Sequence, residues 1–179
     1  MLPVNKFFDN FFLKTGLSRS IIKSFWRLLT MVLLARSSLQ AETGTLVCGV
    51  GLFDVIHEKK PPVEFSCTLK PNAVWHTITP ALGLMVTEKW QTYLHLGFAF
   101  DWVLAKKIVF SPNFAAGWYQ KGQGKDLGFP LEFRSGIELG WAFSGGGRLA
   151  LHFYHLSNAS LGTINPGSES LVLIFSQRI

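Results

Sequence analysis

From Gly44 onward the chain alternates apolar residues with polar or small ones at a period of two, the spacing of β-strands rather than helices. Turn signals divide this stretch into eight segments, at about 44–56, 63–70, 73–87, 91–105, 107–119, 130–143, 148–157 and 168–178. In the fourth, Leu94, Leu96, Phe98, Phe100, Trp102 and Leu104 form one row, and Tyr93, His95, Gly97, Ala99, Asp101 and Val103 form the other. The sixth repeats the scheme, with Leu131, Phe133, Ile137, Leu139, Trp141 and Phe143 set against Glu132, Arg134, Gly136, Glu138, Gly140 and Ala142. A soluble sandwich buries such an apolar row, whereas a membrane barrel turns it to lipid and fills its lumen with the polar row.

Length and decoration favour the barrel. The segments run from 8 to 15 residues, against about five or six for a typical strand and about 9–11 for a membrane-crossing one. Trp75, Trp90, Trp102, Trp118, Trp141, Tyr93 and Tyr119 fall near segment ends, as an interfacial girdle would. The connections at one end are tight (Lys70-Pro71-Asn72, Lys106-Lys107, Ser144 to Gly147), while those at the other include the longer, more polar 57–62, 120–129 and 158–167. Short periplasmic turns with longer outer loops fit an eight-stranded antiparallel transmembrane β-barrel in the outer membrane of a Gram-negative cell. Pro80 and Pro112 lie inside segments three and five, where each implies a bulge or a local break. A barrel this narrow is filled by side chains, so Glu132, Glu138, Arg134, Arg148, Asp54, Asp101 and His95 read as lumenal ion pairs rather than a pore lining or a catalytic set.

Composition narrows the choice. Hydrophobic residues make up 48% of the 179 positions, yet no apolar run approaches the ~18 residues of a spanning helix. The net charge of +6 suggests a nucleic-acid partner only until it is located: residues 1–41 carry +5 and the rest +1. That basic leader, with an apolar stretch from Leu28 to Ala35 and Leu39-Gln40-Ala41 before a cleavage point, reads as a signal segment over 1–41, leaving the barrel as 42–179. Cys48 and Cys67 fall on the outward rows of neighbouring strands, and their offset from the expected turn centre favours two free, lipid-facing thiols over a disulfide.

The chemistry lies near the C-terminus. His155 and Ser157 are two apart on the outward row with Leu149, Leu151 and Phe153, and Glu169 shares the outward row of Leu171, Leu173 and Phe175. If His155 pairs opposite Glu169, the carboxylate reaches the imidazole. Ser157 is then the nucleophile, His155 its base and Glu169 the group that fixes the histidine tautomer. Asn158, Asn165 and the amides of the 162–167 loop are candidate oxyanion donors. The other histidines (His57, His76, His95, His152) lack the spacing of a metal site, and Gly145-Gly146-Gly147 reads as a turn rather than a phosphate loop, so neither metal nor cofactor is expected.

The run His155-Leu156-Ser157-Asn158-Ala159, then Asn165-Pro166-Gly167 and Glu169, resembles the signature of the outer-membrane lipid A 3-O-deacylase (PagL-type) family. The resemblance implies a Ser-His-Glu triad on the outside of an eight-stranded barrel, and metal-free hydrolysis of the ester-linked 3-position acyl chain of lipid A in lipopolysaccharide. It leaves room for a homodimer. The rival readings are a non-enzymatic structural or adhesion barrel, an outer-membrane phospholipase, and a soluble lipocalin-like carrier.

Overall fold

The computed structural model describes residues 44–72 and 77–179. The expected signal segment, Trp75 and His76 lie outside the described residues. Nine β-strands follow in order: β1 Gly44–Phe53, β2 Val63–Pro71, β3 Ile78–Thr87, β4 Thr92–Phe100, β5 Trp102–Leu104, β6 Ile108–Gln120, β7 Leu131–Ala142, β8 Gly147–Ser157 and β9 Ser168–Arg178. All pair antiparallel with their neighbours. β1 also pairs with β9 and β4 with β6, so the sheet closes. Because β5 continues β4 past Asp101, the barrel has the eight staves that the alternation predicts.

Proline explains the interruption. Ala99 pairs with Asn113 and Trp102 with Phe110 in one unchanged register, and the gap falls at Phe100 and Asp101, opposite Pro112 and Ser111. Pro112 has no N–H to give β4, so the ladder is broken there without an inserted residue. Its pairing with Ile137 on the other side continues undisturbed. Pro80 pairs with Phe98 of β4, but β2 has stopped pairing at Leu82. Its missing donor therefore meets no partner strand on that side.

The outward rows are apolar and exposed: Leu84, Leu96, Ile137, Leu139 and Leu151 stand with Trp90, Trp102, Trp118 and Trp141. Their burial lies in the bilayer. Tyr93 and Tyr119 depart from the expected girdle, because their positions fall on the inward parity. Both are buried, donating to the carbonyls of Glu132 (3.0 Å) and Lys125 (2.8 Å).

The lumen is packed with paired polar groups. Lys70 Nζ donates to Glu138 at 3.1 Å, and Arg148 bridges Glu138 (3.3 Å) and Asp101 (3.1 Å). Arg134 meets His95 at 3.0 Å, His152 meets Asn113 at 3.2 Å, and the Tyr154 hydroxyl donates to Glu64 at 2.8 Å. Buried charges tolerate low dielectric when matched in this way. Glu132 departs from the expected satisfied lumen, since neither carboxylate oxygen has a hydrogen-bond partner among the described residues.

The thiols require a correction. Cys48 and Cys67 form a disulfide. β1 ends at Phe53, where Asp54 turns the chain with a φ of 60°, rather than running on to residue 56. That sets the first hairpin in a register where Cys48 lies directly opposite Cys67, with Cα atoms 4.3 Å apart. This is the close spacing of a non-hydrogen-bonded antiparallel pair.

Candidate active site

β8 and β9 end and begin at the mouth that carries the longer loops. β8 stops at Ser157 because Asn158 is pulled inward and the next residues leave strand geometry. Ala159 and Ser160 both take left-handed backbone angles (φ 52° and 63°), which non-glycine residues adopt only where their surroundings impose it. The Asn158 side chain, fully buried, donates to the carbonyls of Leu127 (2.7 Å) and Ile164 (2.8 Å). Its backbone N–H donates to Asn165 Oδ1 at 3.1 Å. One asparagine thus ties the β6–β7 loop, the β8–β9 loop and the end of β8 together.

The register of β8 on β9 sets His155 opposite Glu169. His155 Nδ1 donates to Glu169 Oε1 at 2.9 Å. A carboxylate only accepts, so the proton resides on Nδ1, and the ring is left with Nε2 as a base. Gly167, at φ 62°, passes so close that a Cβ there would lie 2.7 Å from His155 Cε1. The imidazole is thus held by the carboxylate and by a glycine backbone. Ser157 is the next residue of the same outward row, about 6.6 Å along the strand.

Ser157 also lines a groove of about 540 Å³ on the lipid side of the wall. Its sides are Leu96 and Phe98 of β4, Phe114 of β6 and Phe133 of β7, and the smaller Ala116 and Ser135 lie among them. Ala116 pairs with both Leu96 and Phe133, so the shallow line crosses three strands toward the serine. A second hollow, among Lys70, Asp101, Arg148 and Ser176, opens at the opposite end of the strands.

The structure brings His155 and Glu169 into contact and sets Ser157 on the same face at the groove. Of the candidate oxyanion donors, Asn158 has its side-chain and backbone N–H groups engaged in the tether. Asn165 has its Oδ1 fixed by Asn158, which leaves its Nδ2 as the donor end. His95 and His152 lie among the lumenal partners described above, across the wall from His155.

Three further residues join the site from far away in sequence. His57, read from the sequence as a structural or solvated loop residue, is half exposed and has Nδ1 3.2 Å from Glu169 Oε2 and 3.3 Å from Asp54 Oδ1. Asp54, expected in the lumen, is only 1% exposed at the outer end of β1, where both its oxygens accept from Lys125 Nζ at 2.9 Å. The signal available in the sequence was topological. In a closed barrel the first and last strands are neighbours, so the loop after β1 lies beside the start of β9. Asp54, His57 and Glu169 bring one ligand atom each within 4.8 Å of one another, the one such three-residue cluster among the described residues. The Lys125 ammonium on Asp54 already supplies that corner's positive charge.

The comparisons with known proteins bear on this geometry. The family described as lipid A 3-O-deacylase (PagL) matches residues 64–178. Among solved structures, the chain is similar to the outer membrane enzyme PagL, with a TM-score of 0.61 and 20% identity over 75% of this chain and 99% of that one. It is also similar to a de novo designed transmembrane β-barrel, with a TM-score of 0.56 and 10% identity over 78% and 98% of the two chains. At these identities the likeness concerns the fold. No curated protein sequence matches the chain.

Proposed function

The chain belongs to the lipid A 3-O-deacylase (PagL) family, a Gram-negative outer-membrane barrel, and we propose that it hydrolyses the ester-linked 3-position acyl chain of lipid A through Ser157, His155 and Glu169. The observation that carries the triad is the 2.9 Å contact of His155 with Glu169 on the lipid-facing side of the wall, beside an apolar groove that reaches Ser157.

The chemistry follows from the tautomer. Glu169 accepts the hydrogen bond from Nδ1–H, which keeps that proton on Nδ1, so Nε2 takes the proton of the Ser157 hydroxyl as the oxygen attacks the ester carbonyl. Asn165 Nδ2 and nearby loop amides receive the oxyanion, and such a donor typically contributes about 3–4 kcal/mol. The tetrahedral adduct collapses with loss of the sugar 3-oxygen, to which His155 returns the proton. The acyl chain is left on Ser157. A water, deprotonated by the same Nε2, attacks the acyl-serine, and the serine hydroxyl and free fatty acid are regenerated. The groove suits the hydrocarbon of that chain, and its Ser157 side, at the outer end of β8, suits an ester at the headgroup boundary.

The test compares lipid A by mass spectrometry in cells carrying the wild-type chain and Ser157→Ala. We expect the wild type to lose one acyl chain per lipid A and the variant to lose none, while the variant barrel remains heat-modifiable on gels. Continued deacylation by Ser157→Ala would remove the serine from the mechanism. Intact lipid A with both proteins, or cleavage of phospholipid vesicles alone, would favour the rival barrels.

A further inference from the structure

We infer that His57 is a positioning residue of this centre, holding the Glu169 carboxylate by its second oxygen from a platform made by Asp54 and Lys125. The inference rests on the triad reading and extends it to a residue in the β1–β2 loop, 112 positions before Glu169 in sequence.

Its first ground is the geometry at Nδ1. This nitrogen stands 3.3 Å from an Asp54 oxygen and 3.2 Å from a Glu169 oxygen. Two acceptor-only carboxylates cannot face a ring lone pair, so Nδ1 carries a proton. The proton is directed at Asp54, and Glu169 Oε2 has ion-pair distance without a hydrogen bond of its own. A small rotation of the ring moves the proton from one carboxylate to the other. No second side-chain donor contacts Oε2 among the described residues, whereas Oε1 is committed to His155.

The second ground is how firmly the platform is built. Asp54 is 1% exposed and turns the chain at a left-handed φ of 60°, a conformation that aspartate tolerates better than most residues. Lys125 grips both its oxygens from the β6–β7 loop. The Val55 N–H donates to the Glu169 carbonyl at 2.8 Å, so the backbones on either side of the contact are also joined. The His57 ring is itself half exposed, so this platform rather than burial fixes where Nδ1 stands.

A divalent cation on Asp54, His57 and Glu169 is the competing use of the same cluster. It is disfavoured because the cation would have to displace the ammonium from both oxygens of Asp54, and because it would draw Glu169 away from His155.

Removing His57 takes away the side-chain donor that faces Oε2 at 3.2 Å, and the carboxylate can then swing about its Cγ–Cδ bond and loosen the His155 tautomer. Neither group lines the groove assigned to the acyl chain. The loss therefore falls on kcat, by roughly tenfold or more, with KM unchanged. Asparagine puts an amide nitrogen near the place of Nδ1, and its two protons serve both carboxylates at once. Glutamine places its nitrogen further out.

The experiment measures kcat and KM for lipid A deacylation with purified, refolded wild type, His57→Ala, His57→Asn, His57→Gln and Ser157→Ala, each checked for heat-modifiable mobility. We expect His57→Ala and His57→Gln to lose kcat at constant KM, and His57→Asn to recover most of it. Wild-type kcat in His57→Ala, failure of His57→Asn to rescue, or a rise in KM without a fall in kcat would each overturn the inference. So would a stoichiometric divalent cation, found by elemental analysis of the purified protein and lost in His57→Ala. Ser157→Ala keeps the two levels apart. If it still deacylates, the triad reading fails; if it is dead while His57→Ala is normal, only the role of His57 fails.

Discussion

Replacing Gly167 by alanine perturbs the centre without touching any group that reacts. The backbone there has φ 62°, and an added Cβ would stand 2.7 Å from His155 Cε1. Ordinary van der Waals contact begins at 3.4 Å, so the ring must retreat by about 0.7 Å, the difference of the two distances. The ring cannot retreat freely, because Nδ1 is bound to Glu169 at 2.9 Å. Either this contact stretches or the ring tilts and carries Nε2 away from its place in the proposed triad. Misplacement by about 1 Å costs on the order of 100-fold in rate, so kcat should fall between tenfold and a hundredfold. Left-handed strain alone costs alanine about 1–2 kcal/mol of stability, and this must be separated from the effect on the ring. Gly146→Ala is the control. Its φ is 81°, in the tight turn before β8, and its nearest neighbour lies 3.6 Å away. Both variants should lower the thermal midpoint of the heat-modifiable band by similar amounts, and only Gly167→Ala should lose kcat for lipid A. Normal kcat in Gly167→Ala, or an equal loss in both, would refute the claim that the glycine holds the imidazole in place.

Two other variants probe the groove and the wall. Ala116→Phe fills the shallow line between Leu96 and Phe133. Each methylene it displaces costs about 0.8 kcal/mol, so kcat/KM for long-chain lipid A should fall by about tenfold once two are displaced, while a short-chain ester is turned over normally. Equal effects on both substrates would count against the groove as the acyl site. Cys48→Ser with Cys67→Ser removes a cross-link spanning 19 residues, which is worth about 3 kcal/mol through the unfolded chain. The wild type should show a lower unfolding midpoint in reductant and the double variant none of that sensitivity; identical midpoints in reduced and oxidised wild type would show that the link does not brace the barrel.

Sidedness was the part of this protein most legible in its sequence, because a period of two assigns every residue to lipid or lumen before any contact is known. Leu94 to Leu104 pointed outward on that argument, whereas the break expected within the strand of Pro112 falls instead in the neighbouring strand, at Phe100 and Asp101. The same parity placed His155, Ser157 and Glu169 on one face. Features that depend on register were harder to read. The Cys48–Cys67 pairing was missed because periodicity alone extends β1 to residue 56, whereas Asp54 ends it at Phe53 and shifts the turn centre. Tyr93 and Tyr119 were misjudged by counting distance from segment ends and ignoring parity. The Asp54–His57–Lys125 platform was out of reach of any local pattern, since it is assembled by barrel closure, with Phe53 opposite Ser170 and the loop before β7 folding back onto Asp54.

Closure also bears on where the proposed chemistry sits. Eight staves leave a lumen that Lys70, Glu138, Arg148, Arg134 and Tyr154 already fill, so no substrate of lipid size enters it. A reactive centre on this scaffold must use the outer wall, and there depth decides. At the strand ends a polar side chain facing lipid costs about 0–1 kcal/mol, against about 2–4 kcal/mol for a basic one at the midplane. One pleat deeper on the same two strands, the cross-strand pair after His155 and Glu169 is Phe153 with Leu171, both apolar and exposed. A His–Glu pair there would stand in hydrocarbon, and water for deacylation would not reach it. The rim is thus the one depth at which the wall can hold an ionised carboxylate, admit water from the loop side and still meet a hydrocarbon chain from below. It is also where an ester joining a sugar headgroup to an acyl chain crosses from one phase to the other.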